Sequence, residues 1–264
     1  MNLGVPRSAN RERNHLATWD TLIDELTSWQ RLGRLATFWW RDDDAVESTP
    51  ELEAVIHTSE TTETSVALAA IPGALKPSLR TLLAGRHTVF VLQHGYMHHN
   101  HAPDTAKKSE FGPGRALAAM LAEISEGWRR ISTLERALPV FVPPWNRYDA
   151  DLLPMLPHAG IKGFSAYRPR NSATPGVKQN NTHVDIMDWR ERGFVGERAA
   201  LSLAVEHLAA RREGRSDPDE ATGLLTHHRV HDSACWAFIS RFLDETRRHP
   251  AVQWMSPRSL FPAQ

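Results

Sequence analysis

Short apolar runs alternate with amphipathic segments along the chain. Residues 18–32 carry apolar side chains at helical spacing and predict an amphipathic helix. Further helices are expected where a start or stop residue borders a periodic segment, as at Thr49-Pro50 and Gly85. We predict strands at 35–40, 65–71, 87–93, 139–142, 162–166, 183–187, 223–226 and 252–255, and helices at 49–57, 76–84, 115–137, 150–158, 197–213 and 233–247.

Strands that alternate with helices favour an α/β fold with a mainly parallel sheet. About seven such units fit a closed (β/α) barrel with surrounding helices better than an open sheet, although spacing alone leaves both open. We expect one domain over 1–264, with residues 1–13 as a loose polar arm.

Composition narrows the class of protein. Lys+Arg and Asp+Glu number 31 each, so no net basic field indicates a nucleic-acid partner. The single cysteine, Cys235, cannot form an internal disulfide and fits a reducing compartment. No apolar run approaches the roughly 20 residues that span a bilayer, so we expect no membrane insertion. A cytoplasmic protein is the simplest interpretation, and the oligomeric state stays open.

A histidine-rich segment directly follows the apolar run 89–92. It contains His94, His98, His99 and His101. Imidazole is the commonest metal ligand, and an i, i+4 pair reaches one side if the backbone turns helically. His94 and His98 are therefore candidate ligands, whereas His99 and His101 are either supporting or merely exposed. The competing interpretation is a solvated loop.

Polar residues also follow two other apolar runs: Asp42-Asp43-Asp44 after 35–40, and His227-His228 after 224–226. Adjacent carboxylates at the end of a buried strand are costly unless a cation neutralises one of them. A neighbouring carboxylate can then act as general base. Taken alone, the aspartates are also consistent with a surface turn or an acidic cap at a helix N-terminus. In a barrel, all these clusters would meet at the carboxyl ends of the strands.

The order of these motifs resembles the polysaccharide deacetylase superfamily (carbohydrate esterase family 4, the NodB-homology group) over about residues 35–230. The resemblance rests on Asp-Asp, His-x-x-x-His, Pro-Pro-aromatic, Asp-x-x-Asp-Trp and a final strand-Thr-His. It implies a distorted barrel and carbohydrate metabolism, with a divalent metal held by one Asp and two His. It also implies hydrolysis of N- or O-acetyl groups on sugars.

Carried over by residue, the resemblance implies Asp44, His94 and His98 as metal ligands and Asp43 as general base, with Asp42/Asp43 as the alternative base–ligand pair. It implies His227 as general acid, with His228 as the rival. Zinc is the expected metal, with cobalt, nickel or manganese as alternatives.

The chain departs from the family pattern at two positions. Val142 stands where the Arg of an Arg-Pro-Pro segment would hold the catalytic Asp, so Arg41 or Arg147 would have to substitute. Gly95 stands where family members often carry Ser or Thr. The segment 185–189 resembles the one that orients the catalytic histidine and walls the pocket. The candidate substrate-contacting residues are Trp145, Asn146, Pro144, Tyr96, Arg41 and Trp189.

The function implied is a metal-dependent hydrolase that removes an acetyl or other acyl group from an N- or O-acylated sugar, a glycan precursor or a small N-acyl compound. Two classes compete with it. One is another metal-dependent hydrolase of C–N or phosphoester bonds, of which the phosphoesterases typically need a second metal. The other is a decayed, non-catalytic glycan-binding relative, which the absent arginine at Val142 favours.

Overall fold

A curled parallel sheet forms the centre of the computed structural model, which describes residues 17–170 and 173–261. The predicted loose arm at 1–13 lies outside these residues. The strands are β1 Ala36–Ala45, β2 Val66–Ala70, β3 Val89–His94, β4 Ala137–Val142, β5 Gly163–Phe164, β6 Lys178–Gln179, β7 Val184–Asp185, β8 Met187–Asp188, β9 Gly193–Phe194, β10 Thr222–Thr226 and β11 Val252–Trp254. The sheet order is β6-β5-β4-β3-β2-β1-β10-β7, with β11 beside β1, and β8 and β9 form a separate antiparallel pair.

One segment, 178–185, brings the two edges of the sheet together. Its first part pairs with β5, and Thr182 bridges to Tyr167. Its last part pairs with β10, and the N–H of His183 donates to the carbonyl of Gly223. The sheet thus curls into a (β/α) barrel, as the strand–helix alternation predicts, and it has the distorted form that the resemblance implies.

The helices surround this sheet. They are α1 Trp19–Arg31, α2 Pro50–Thr61, α3 Pro77–Leu83, α4 Leu117–Ile131, α5 Glu197–Arg212, α6 Ser233–Arg248 and α7 Pro257–Leu260. Thr18 and Thr49 cap α1 and α2 through their side-chain oxygens, as the sequence predicts for α2. Among the described residues, no helix combines the length and apolar character needed to cross a bilayer.

Alternation along β1 sorts its residues between two faces, because successive strand side chains point to opposite sides. Phe38 and Trp40 pack in the cluster formed with the helices. Trp39 packs in a second cluster with residues of β2, β3 and β4, inside the curl. By the same alternation, Arg41 and Asp43 share the inner face and Asp42 the outer one. Asp43 therefore lies on the side of the strand inside the barrel, whereas Asp42 lies on the side that faces the helices.

Several predicted elements have different bounds in the structure, including one strand and two helices. β1 continues to Ala45, so the three aspartates lie within the strand and not after it. The predicted helix 115–137 ends at Ile131, because β4 already begins at Ala137. The predicted helix 150–158 is a 3-10 helix, Ala150–Ala159. It contains Pro154 and Pro157, which cannot donate the backbone bonds of an α-helix.

Candidate metal centre and active site

A cavity of about 580 Å³ opens at the carboxyl ends of β1, β3, β7 and β10. We call it the site cavity. It is lined by Asp43, Asp44, His94, His98, Lys107, Trp145, Asn146, Arg147, Tyr167, Arg168, Asp185, Trp189 and His227. Its size is typical of small-molecule sites. The aspartate, His-x-x-x-His and His227 motifs, far apart in sequence, therefore meet in one place.

Asp44, His94 and His98, here called the metal triad, form its floor. Their ligand atoms lie within 4.8 Å of one another. Oδ1 of Asp44 is 3.2 Å from Nε2 of His94 and 3.5 Å from Nε2 of His98. One carboxylate and two imidazoles are the ligand set of many hydrolytic zinc sites that keep a position open for water.

The proton positions in the metal triad suit a cation. Nδ1 of His94 donates to the carbonyl of Val142 at 3.1 Å, so Nε2 of the neutral ring carries a lone pair. That lone pair faces Oδ1 of Asp44, which is buried and accepts no hydrogen bond. Two facing lone pairs repel each other unless a cation or proton lies between them. The residues present therefore fit a divalent metal.

The pKa shifts of the triad show how strongly its three groups interact, and the raised pKa of His94 places a proton where a cation would otherwise lie. Burial opposes ionisation of Asp44, yet its interaction with His94 holds the pKa of this carboxyl below its usual range. Burial would lower the pKa of His94, but the charge of Asp43 and the interaction with Asp44 raise it. Burial and the charge of His94 lower the pKa of His98 to about 4, which keeps that ring neutral and able to ligate.

Backbone strain concentrates at this cavity. Eight non-glycine residues of the described chain have a positive φ, and five of them line the cavity: Asp44, His98, Trp145, Asn146 and Arg168. At Asp44, with φ of 75°, the register of β1 against β2 shifts and the strand forms a bulge. Such conformations persist only where the surroundings impose them, and they cluster at functional sites.

Glu110 holds the loop that carries His98. Its buried carboxylate accepts the backbone N–H groups of Tyr96 at 3.1 Å, Met97 at 2.7 Å and His99 at 3.4 Å. A Cβ at Gly95, whose φ is 56°, would overlap both Glu110 and Pro144. Glycine at this position is thus required by the carboxylate that orders the loop. Nothing in the sequence around Glu110 marks this role, because it lies 15 residues downstream.

Arg41, one of the two candidates to substitute for the absent motif arginine, contacts Asp43 directly. Its buried guanidinium donates to Asp43 through Nε at 2.8 Å and Nη2 at 3.0 Å. Nη2 also donates to Oδ1 of Asn146 at 2.9 Å, and Nη1 donates to the side chain of Ser165 at 2.7 Å. Arg147, the other candidate, instead donates to the carbonyl of Lys108. Arg41 therefore orients Asp43 from the same strand.

Asp42 and His228 lie away from the cavity lining, on the outer side of β1. Asp42 is fully buried and accepts from the hydroxyl of Thr226 at 2.6 Å and from the backbone N–H of His228 at 3.1 Å. Its other oxygen bonds to Nδ1 of His228. This geometry favours Asp43/Asp44 over Asp42/Asp43 as the base–ligand pair, and His227 over His228 as general acid.

His227 borders the cavity beside Asp43. Its Nε2 lies 3.8 Å from Oδ2 of Asp43, and its ring meets the edge of Trp189 at a centroid distance of 4.5 Å. The indole N–H of Trp189 donates to Asp185 at 2.9 Å. Burial raises the pKa of Asp185, while the charge of His227 and the bond from Trp189 oppose the rise. The 185–189 segment therefore walls the pocket next to His227, as its resemblance implies.

The candidate substrate-contacting residues divide into two groups. Trp145, Asn146 and Trp189 line the cavity. Arg41 and Pro144 are buried behind it, and Tyr96 packs against the cluster around Phe141. Tyr167 and Arg168, which the sequence analysis missed, also line it. Their only sequence signal is their place just after a predicted strand, 162–166.

The two remaining histidines of the 94–101 segment do not join the metal triad. His99 contributes its backbone N–H to Glu110. His101 is exposed and lines a second cavity. Both positions agree with the interpretation that these histidines are supporting or exposed.

A second group, His183, His207 and Glu220, also has ligand-type atoms within 4.8 Å of one another. The backbone N–H of Gly223 donates to Nδ1 of His183 at 3.0 Å, so Nε2 of the neutral ring bears the proton. Burial lowers the pKa of His183, which keeps the ring neutral. His183 therefore has no free lone pair for a metal, and the group is a buried polar cluster.

Several solved structures share this fold. An inferred polysaccharide deacetylase from Mycobacterium smegmatis is 12% identical, with a TM-score of 0.61 over 86% of this chain and 89% of that one. A family 4 carbohydrate esterase from Streptomyces lividans, solved with acetate, is 15% identical, with a TM-score of 0.52 over 82% and 90%. A family 4 pseudoenzyme from Bacillus anthracis is 12% identical, with a TM-score of 0.53 over 83% and 63%.

No protein-family model matches the sequence, and no curated protein does either. An active enzyme and a pseudoenzyme share this architecture. The structural similarity therefore shows the fold, and any activity must be argued from the residues of the site. The resemblance noted in the sequence is confirmed at that level: the chain has the fold of the polysaccharide deacetylases of carbohydrate esterase family 4 and is divergent from these structures in sequence.

Proposed function

We propose that the protein is a metal-dependent deacylase that removes an acetyl or other acyl group from an N- or O-acylated sugar or a small glycan precursor. The observation that carries this proposal is the metal triad beside Asp43 and His227 in a single cavity. A metal ligand set, a buried carboxylate outside it and a neighbouring imidazole are the groups that such hydrolysis needs.

In this proposal, Asp44, His94 and His98 hold the metal, for which zinc is favoured and cobalt, nickel or manganese are alternatives. When bound, the metal supplies Lewis acidity and makes hydroxide accessible at neutral pH. Asp43 accepts the proton of the attacking water, with its oxygens held in place by Arg41. Fixing the base in this way removes the need to reorient it during the reaction.

His227 donates a proton to the departing amine or alcohol. Its Nδ1 is buried without a hydrogen-bond partner, and Trp189 and Asp185 lie beside it. The backbone N–H near Trp145 donates to the developing oxyanion. Trp145 packs against His98 of the metal triad, with the two ring centroids 4.3 Å apart, and it forms one wall of the substrate cavity.

The test combines metal analysis with acetate release. We expect one divalent metal per chain, loss of acetate release from acetylated sugars on chelation, and recovery on adding zinc or cobalt. Full activity of a His94→Ala/His98→Ala double variant would contradict the proposal. Two metals per chain would favour a phosphoesterase, and metal binding without deacylation of any substrate would favour a decayed relative.

The structure weakens the argument for decay that the missing motif arginine provided. Arg41 makes a bidentate pair with Asp43, and Glu110 orders the loop at Gly95. Arg41 thus supplies the contact to Asp43 that the missing arginine would make, and Gly95 leaves the space that Glu110 and Pro144 occupy.

A further inference from the structure

Three cationic side chains line the site cavity without an acidic partner. They belong to Lys107, Arg147 and Arg168. Within residues 17–170 and 173–261, neither Lys107 nor Arg168 forms a side-chain hydrogen bond or ion pair, and the guanidinium of Arg147 donates only to the carbonyl of Lys108. Lys107 and Arg168 are exposed at the cavity. Free cations around a concave site are available to a ligand.

The acidic groups of the cavity do not cancel these charges. The carboxylate of Asp43 is paired with Arg41, and Asp44 belongs to the metal triad. Asp185 is held by the indole of Trp189. With a divalent metal bound, the cavity is more positive still. Such a field attracts anions and repels cations.

The position of Arg168 is imposed by its backbone. Its φ is 79°, a conformation that non-glycine residues rarely adopt. Its N–H donates to the carbonyl of Thr182 at 2.8 Å, and its carbonyl accepts from Nδ2 of Asn181 at 2.8 Å. Both of these partners are buried. The segment that closes the barrel therefore fixes an unpaired arginine at the cavity.

A neighbouring cavity extends the cationic wall. It has a volume of about 630 Å³ and shares Lys107, Asn146 and Arg147 with the site cavity. Arg115 and His101 also line it, although Arg115 is already paired with Glu123. There is room here for a substituent much larger than the acyl group.

We propose that the substrate carries an anionic group, a phosphate or a carboxylate, that binds Arg168, Lys107 and Arg147 while its acyl group lies at the metal triad. This inference rests on the proposed function and narrows it to acylated sugars of the phosphorylated or acidic type, in preference to neutral polymers. The guanidinium group of an arginine can donate two parallel hydrogen bonds to the oxygens of either a phosphate or a carboxylate.

The test compares three probes on the metal-loaded protein: N-acetylglucosamine, its 1-phosphate and N-acetylmuramic acid. Quenching of tryptophan fluorescence reports binding, because Trp145 and Trp189 line the cavity. We expect at least one anionic probe to bind about tenfold or more tightly than the neutral sugar, which corresponds to roughly 1.4 kcal/mol. The arm that shows the larger gain identifies phosphate or carboxylate as the group. Because salt screens exposed charges, the gain should shrink in 0.5 M NaCl.

Three variants separate the possible causes of this gain. In Lys107→Gln/Arg168→Gln, the affinity ratio between anionic and neutral probes should fall to about one. In Arg31→Gln/Arg129→Gln, a matched loss of two positive charges on α1 and α4 outside the cavity, it should not change. In His94→Ala/His98→Ala the ratio should persist, whereas its loss there would mean that the anion binds the metal directly and would overturn the proposal.

The remaining outcomes are equally decisive. Equal affinities for all probes, no binding of any probe, or a ratio that survives Lys107→Gln/Arg168→Gln would each overturn the inference. Acetate release without anion preference leaves the proposed function intact while this inference fails. An anion preference without acetate release supports the anion site and contradicts the proposed deacylase.

Discussion

Arg41 and Asp43, two residues apart on β1, form a buried bidentate ion pair on the inner face of the sheet. Residues i and i+2 of a strand point to the same side, so one strand supplies both the carboxylate and its counter-ion. The remaining donors of the guanidinium bond to Asn146, Ser165 and the carbonyl of Ala166. The pair thus links β1 to the segments after β4 and β5.

Replacing Arg41 with lysine should reduce kcat strongly while leaving the metal in place. An ammonium cannot make the bidentate bond and reach Asn146 and Ser165 as well. Since Arg41 makes no hydrogen bond to the metal triad, we expect kcat to fall about 100-fold and metal affinity to change little. Steady-state kinetics and metal titration measure the two effects. Near-normal kcat in Arg41→Lys would contradict this role, and Arg129→Lys on α4 serves as the control.

Replacing Glu110 with glutamine should act on metal binding first. Both oxygens of Glu110 accept backbone N–H groups of the 95–99 loop, and an amide would turn one acceptor into a donor facing an N–H. Loss of this support should weaken metal affinity about 10- to 100-fold. Competition with a chelating dye measures it. Glu123→Gln, a paired carboxylate on α4, should bind metal normally.

Restoring the family residue at Gly95 should damage this protein. Gly95→Ser would place a Cβ against Glu110 and Pro144 at a φ of 56°. The overlap and the strained backbone should destabilise the fold by about 1–3 kcal/mol and displace His98. Chemical unfolding and metal titration report both effects. A Gly95→Ser variant that is as stable as the native chain, with the same metal affinity, would refute this explanation.

The sequence predicts that the three polar clusters meet, because ligand-type residues follow apolar runs at three places and parallel strand ends converge, and the role of Asp44, His94 and His98 as metal ligands stays a prediction. To decide whether Asp42 or Asp43 faces the cavity, one must know which side of β1 lies inside the barrel. Alternation along the strand separates the two residues but does not identify the inner side. Once that side is known, the two-residue period of a strand also places Arg41 and Asp43 on the same face.

Other contributions depend on long-range packing that no local pattern records. Glu110 reaches the 95–99 loop from a separate stretch of chain, and Arg168 is positioned by the segment 178–185. The strands β5, β6 and β7 are two residues long, so their apolar signal is too short to define where the barrel closes.

Single substitutions of His227 and of His228 should have different effects, the first on catalysis and the second on stability. His227→Gln should lower kcat by about 10²- to 10⁴-fold with little effect on unfolding, because the side chain borders the cavity. His228→Gln removes the partner of buried Asp42 and should cost about 1–3 kcal/mol of stability. Kinetics and urea unfolding of both variants measure these effects. The reverse pattern would make His228 the general acid.

The stacked pair His183–His207 predicts a loss of stability in mild acid. The ring centroids lie 3.4 Å apart, and burial, the adjacent His183 and the charge of Arg211 lower the pKa of His207 to about 2. Below about pH 6.5, His207 therefore binds a proton in the unfolded chain but not in the native state. The contribution of His207 to stability is complete above that pH and is lost as the pH falls from 6.5 towards 2.

This loss should amount to about 2 kcal/mol between pH 6.5 and 5, at roughly 1.4 kcal/mol per pH unit for one histidine. Glutamine at position 207 can still bond to Thr222 but does not titrate. Urea unfolding with EDTA present, at pH 7.5 and pH 5, should show a smaller pH dependence for His207→Gln than for the native chain. His57→Gln, an exposed histidine on α2, should keep the native dependence. Equal pH dependence in His207→Gln and the native chain would mean that this ring protonates freely in the folded state.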